Sequence, residues 1–136
     1  MTYHAATPEA LDPIARDLLR DYPQGIVVLL KGNLGAGKST FVGRFTAIMA
    51  PEATTTSPTF SVMHEYAEGI YHYDIYRIGS EDFIARGLHE NLESPGFHFL
   101  EWADERIERL LEESGIPYIT LEITQDKEKR TIHVRT

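Results

Sequence analysis

Eight consecutive residues, Gly32-Asn33-Leu34-Gly35-Ala36-Gly37-Lys38-Ser39, follow the spacing G-x-x-x-x-G-K-[ST]. Their types suit one task, holding a chain of phosphates. Glycines at 32, 35 and 37 admit backbone angles closed to other residues and carry no side chain to block an anion, so successive N–H groups converge on its oxygens. Lys38 neutralises the β- and γ-phosphates, and the Ser39 hydroxyl is a hard oxygen ligand suited to Mg2+. The helix that follows points its positive end at the anion. Asn33, Leu34, Ala36 and Thr40 complete the candidate cradle through their backbone.

Such a loop also needs a carboxylate for the metal, carried at the end of an apolar strand. Two segments offer one: Phe97-His98-Phe99-Leu100-Glu101, the more apolar, and Tyr71-His72-Tyr73-Asp74. Strand alternation puts His72, Asp74 and Tyr76 on one face, a polar set rather than a core stripe. Either Asp74 or Glu101 can orient the attacking water, and the residue types leave open which. Trp102, the only tryptophan, follows Glu101 directly and suits a core or groove position as well as contact with a ligand or partner. No two histidines stand at helical metal-ligand spacing, so all six are assigned to structural or surface positions. Arg130 is a weaker candidate for phosphate contact, a solvated hairpin charge being its plainer role.

The surrounding pattern supplies elements to position these residues. Ile26-Val27-Val28-Leu29-Leu30 is short, β-branched and apolar throughout, as a strand buried on both faces must be. After the glycine loop, Phe41, Val42, Phe45, Ile48 and Met49 recur at helical spacing until Pro51. Strand, loop and helix therefore come in the order the motif requires. Upstream, Leu11, Ile14, Ala15, Leu18 and Leu19 mark an amphipathic helix opened by Thr7-Pro8 or Asp12-Pro13. Residues 60–66 and 70–76 alternate around Ala67-Glu68-Gly69, which predicts an antiparallel hairpin. Ser80 is placed to cap a short helix starting at Glu81. A turn at Ser94-Pro95-Gly96 precedes the Glu101 strand, and Ala103, Ile107, Leu110 and Leu111 predict a helix closed by Gly115. Ile119, Leu121 and Ile123 with Ile132 and Val134 form a closing hairpin around the charged tip 126–129. The expectation is an α/β, P-loop NTPase-like three-layer fold with a mixed sheet and two antiparallel hairpins, as one domain over 1–136.

Composition narrows the chemistry. The 136 residues are 42% hydrophobic and carry 13 Lys plus Arg against 21 Asp plus Glu, a net charge of −8. That sign disfavours a direct grip on a nucleic-acid backbone. With no cysteine, disulfides, thiolate zinc sites and a cysteine nucleophile are excluded. The longest apolar run, residues 26–30, falls far short of the roughly 20 residues that cross a bilayer, and the first residues lack the pattern of a secretion signal. A cytoplasmic protein is expected. Guanine-reading N-K-x-D is absent, which points to adenine and hence ATP. Little chain remains for the acceptor pocket and arginine-bearing lid of a small-molecule kinase.

Several separated pieces together resemble one family: Gly32 to Phe41, Ser57-Pro58-Thr59-Phe60, His72-Tyr73-Asp74-Ile75-Tyr76-Arg77, Gly87-Leu88 and Glu101-Trp102. They are similar, in order and spacing, to the TsaE (formerly YjeE) family of bacterial tRNA threonylcarbamoyladenosine biosynthesis ATPases. The resemblance implies a compact ATPase, weak alone, that joins TsaD and TsaB and supports threonylcarbamoyl transfer to the adenosine beside the tRNA anticodon. Association with tRNA would be indirect, through that complex. It further implies that Lys38 and the loop amides hold the phosphates, that Ser39 and Glu101 hold Mg2+, and that Asp74 lies in a switch segment near the γ-phosphate. Ser57 and Thr59 would belong to a second such segment, and Trp102 would report the nucleotide state. The chain departs from the family pattern at Asn33, usually Asp, at Ser39, more often Thr, and at Ala103, usually Pro. Two other functions fit the motif: a nucleotide-gated assembly module with incidental hydrolysis, and a small-molecule kinase.

Overall fold

A computed structural model describes residues 2–5, 8–32, 38–52, 62–126 and 129–135, without the side chains of 2–5, 8, 39, 125, 126, 129 and 130. Its centre is β2 (Val27–Lys31), the apolar run read from the sequence shifted by one residue. Val27 to Leu30 are all buried. Alternate side chains enter two different cores, which is why the segment shows no polar alternation. Val28 and Leu30 pack with Leu11, in the 3-10 turn before α1 (Asp12–Asp21), and with α1 and α2 (Lys38–Met49) through Ile14, Leu18, Phe41, Val42 and Phe45. Val27 and Leu29 pack on the other side with Phe83 of α3 (Gly79–Ala85) and Ile107 and Leu111 of α4 (Glu105–Glu113). The three expected layers are thus present.

Among the described residues, seven strands form one mixed sheet in the order β1-β7-β6-β2-β5-β4-β3. The middle four, β6 (Tyr118–Asp126), β2, β5 (Phe97–Glu101) and β4 (Ile70–Asp74), run parallel. The two expected hairpins flank them: β3 (Met63–Ala67) with β4, and β6 with β7 (Lys129–Arg135). The predicted start of the first hairpin at Phe60 lies outside the described residues. β1 (Thr2–Ala5) adds an antiparallel strand along β7.

Two local expectations are corrected. Ser80 does not cap a helix: α3 begins at Gly79, Ser80 is buried inside its first turn, and no side chain caps Ile78. β4 ends at Asp74, so Tyr76 lies in the following turn rather than on the strand face, its N–H donating to Asp74 Oδ1 at 3.1 Å. By contrast, α4 ends as read, with Gly115 at φ 69° just beyond it and the Ile116 N–H donating to Leu111 O at 2.9 Å. Its start is set by Asp104, whose carboxylate accepts from the Arg106 N–H at 2.9 Å.

Two sets of contacts fix the strand ends that matter for chemistry. On one face, Phe45 meets Phe97 and Phe99 at 4.6 and 4.9 Å between centroids, seating α2 against β5. The Asp12 carboxylate then ties α2 to α1, accepting from Arg44 Nε at 2.9 Å and Nη2 at 2.7 Å. On the other face, Asn91 Nδ2 donates to the Tyr73 oxygen at 2.8 Å and the Tyr73 hydroxyl donates to His98 Nδ1 at 2.6 Å. His98 Nε2 in turn donates to Ser94 O at 2.7 Å. Burial holds the His98 pKa below its ordinary 6.5 and pushes the Tyr73 phenol up, so both stay neutral inside the core. This chain of bonds locks β4 against β5, and with it the positions of Asp74 and Glu101.

Candidate functional site

Register brings the two candidate carboxylates together. In the parallel pairing, Asp74 lies opposite Glu101, and Glu101 lies opposite Leu30, two residues before Gly32. All three strands therefore deliver their last residues to one end of the sheet, where open parallel sheets hold ligands. α2 starts at the same end with Lys38. Gly32 takes φ 149°, a conformation that requires glycine, and so turns the chain away from β2.

Lys38 is 4% exposed, and a buried ammonium must be compensated. Its Nζ donates to Gly32 O at 2.8 Å, lies 3.7 Å from Glu101 Oε1 and sits 3.8 Å from the centroid of the Trp102 ring. Among the described residues, Trp102 is the one non-glycine residue with a positive φ, 70°. That left-handed turn directly after Glu101 carries the ring over the lysine; such strained positions cluster at functional sites. Tyr76 packs on the outer side of Trp102 at 4.9 Å between rings and is 60% exposed. The aromatic pair thus runs from the buried ammonium to solvent.

Glu101 is 5% exposed, and its second oxygen accepts from His72 Nε2 at 2.5 Å. An ionised carboxylate only accepts, so Nε2 is the donor of this bond. The Tyr66 hydroxyl stands on the other ring nitrogen, Nδ1, at 3.2 Å. Burial, and secondarily the charge of Glu101, push the Tyr66 pKa up, which keeps its hydroxyl a donor. Asp74 differs from Glu101 in being exposed, its N–H held by Val62 O at 2.8 Å.

Of the residues singled out from the sequence, Lys38, Glu101 and Trp102 meet directly and Asp74 lies beside them. The side chains of Asn33, Leu34, Ala36 and Ser39, with Gly35 and Gly37, fall outside the described residues, as do Ser57 and Thr59. Thr40 stands half-buried in the first turn of α2. Arg130 is placed only by its backbone: it pairs with Gln125, three residues beyond the Glu122 that faces Lys31 of β2, and so at the loop end of the sheet. His72 departs from the assignment of every histidine to structure or surface, because it bonds the site carboxylate itself. Its alternation with Asp74 is visible in the sequence; its contact with a residue 29 positions away depends on β4–β5 register, which is not.

Comparison with known proteins fits this geometry. A family model described as "Threonylcarbamoyl adenosine biosynthesis protein TsaE" matches residues 5–132. The chain belongs to the TsaE family. The tRNA threonylcarbamoyladenosine biosynthesis protein TsaE of Bacillus subtilis is 35% identical over 118 residues, covering 83% of this chain and 73% of that protein. TsaE from a Nostoc species is 39% identical over 90 residues, 59% of this chain and 54% of its own length, so this match spans about half of that relative. The crystal structure of Bacillus subtilis YdiB superposes with a TM-score of 0.65 at 27% identity, covering 99% of this chain and 84% of that one. The family role is tRNA threonylcarbamoyladenosine biosynthesis. No helix among the described residues is long and apolar enough to cross a membrane.

Proposed function

We propose that this TsaE-family chain is a Mg2+-dependent ATPase that acts in the cytoplasm with TsaD and TsaB and supports threonylcarbamoyl modification of the adenosine next to the tRNA anticodon. Its contact with tRNA is indirect, through those partners. The observation that carries the reading is the buried Lys38 ammonium at the start of α2, set against the Glu101 carboxylate at the end of the neighbouring strand. In this reading Lys38 and the amides of residues 33–40 hold the triphosphate, with Arg130 a weaker additional contact.

Ser39 and Glu101 are the residues that would hold Mg2+. Their donors fit it, a hydroxyl and a carboxylate being hard oxygens. No group of three or more His, Cys, Asp or Glu suited to a metal occurs among the described residues; a magnesium bound largely by phosphates and water needs no such cage. When bound, the ion neutralises charge developing on the phosphate oxygens. The protein's own part is positioning and charge stabilisation. Lys38 places an ammonium at the transferring phosphoryl group, and exposed Asp74, rather than enclosed Glu101, has the access to orient water for in-line attack.

Replacing Lys38 by alanine tests the site: phosphate release from ATP should be abolished and ATP binding weakened, whereas a full hydrolysis rate refutes the reading. The exposed Tyr76, packed on Trp102 over Lys38, favours a second reading in which nucleotide occupancy gates a partner surface. A variant that binds ATP without hydrolysing it fails to complement under the first reading and succeeds under the second.

A further inference from the structure

A glutamate has three rotatable side-chain bonds, so a carboxylate that must present one oxygen in a fixed direction needs something to hold the other. His72 supplies that hold. Its 2.5 Å bond to Glu101 Oε2 is short, as charge-assisted bonds are, and leaves Oε1 as the oxygen turned toward Lys38. We infer that His72 is a positioning residue for Glu101, fixing the orientation in which this carboxylate serves the metal. The inference rests on the nucleotide reading above and adds a residue that the reading does not use.

The imidazole is itself immobilised. It is 5% exposed in the middle of β4, opposite Phe99 of β5 and His64 of β3. The β3–β4 register shifts between Glu65 and Ala67, leaving Tyr66 as the extra residue. Such shifts re-aim side chains near sites. The Tyr66 ring stands edge-on to His72 at 5.6 Å with its hydroxyl on Nδ1. Both ring nitrogens are thus engaged, one by Glu101 and one by Tyr66. That arrangement suits orientation of a ligand carboxylate and leaves no nitrogen placed to take a proton from water. Outer partners of this kind typically change metal affinity or activity by about 10- to 100-fold when removed.

The test is a Mg2+ titration of ADP binding by calorimetry, alongside phosphate release, on the intact chain. His72→Leu should raise the Mg2+ concentration for half-maximal effect by about 10-fold or more, with ADP affinity in the absence of Mg2+ unchanged. His72→Gln, whose amide N–H reaches as far as Nε2, should recover most of the loss; His72→Asn, one bond shorter, should not. The same Mg2+ requirement in all three variants as in the wild type overturns the inference. Should His72→Leu fail to fold, the glutamine and asparagine variants, alike in charge and chemistry, carry the test by their difference, and equal behaviour overturns it. Absence of Mg2+-dependent ADP binding in the wild type itself defeats the nucleotide reading instead.

Discussion

Replacing Lys38 by methionine and Glu101 by glutamine, singly and together, measures the ion pair at the centre of the site. Both substitutions nearly conserve volume, so lost packing contributes little. At the observed 3.7 Å, two unit charges in an effective dielectric of about 20 attract by about 4.5 kcal/mol. Part of this is recovered in each single variant: Lys38 retains Gly32 O at 2.8 Å and the Trp102 ring, and Glu101 retains His72. Each single change should cost roughly 3 kcal/mol, because it leaves a buried charge short of a partner. The double change should cost clearly less than the sum, with a coupling of about 2 to 4 kcal/mol. Urea unfolding followed by circular dichroism on the four proteins gives the cycle. A coupling below about 0.5 kcal/mol, the range of exposed pairs, refutes the claim that the two groups form a buried pair.

Three shorter predictions follow from neighbouring residues. Asp74→Ala should cut turnover by about 100-fold with little change in ATP affinity, read from steady-state kinetics and calorimetry; a loss confined to affinity contradicts a water-orienting role. Arg44→Ala should lower the melting temperature by a few degrees near neutral pH and by less in acid. The Arg44 hydrogen bonds hold the Asp12 pKa below its ordinary 3.8, so their stabilisation is present above that value and fades as pH falls through the lowered one. A melting-temperature difference that does not shrink with acid counts against the pair. Trp102→Gly should be more stable than Trp102→Ala by about 1 kcal/mol, since φ of 70° penalises alanine and not glycine; the reverse order in urea unfolding contradicts the left-handed turn.

The parts legible in the sequence are those set by local chemistry. The glycine–lysine motif, the doubly buried β2 and the apolar stripe of α2 each declare themselves within a dozen residues, and together they determine the three-layer architecture. Relations between distant strands are not local. β1 has four residues of mixed polarity and exists because β7 offers it an edge. Ser80 resembles a cap by residue type, but the chain turns into α3 one residue earlier, at Gly79. Trp102 has no local signature for its positive φ, which follows from the turn between β5 and α4. His72 stands in plain view two residues before Asp74, yet its role depends on the parallel register that brings it to Glu101. Asp74 and Glu101 were both recognisable as carboxylates ending apolar strands; only their burial separates the enclosed one from the exposed one.

Calorimetric titration of the purified protein with ATP, in the presence and absence of Mg2+, is the most direct examination of the anion site. Saturable binding of one ATP per chain, strengthened by Mg2+ and lost in Lys38→Ala, is the predicted result. Absence of binding for both ATP and ADP with Mg2+ present contradicts it.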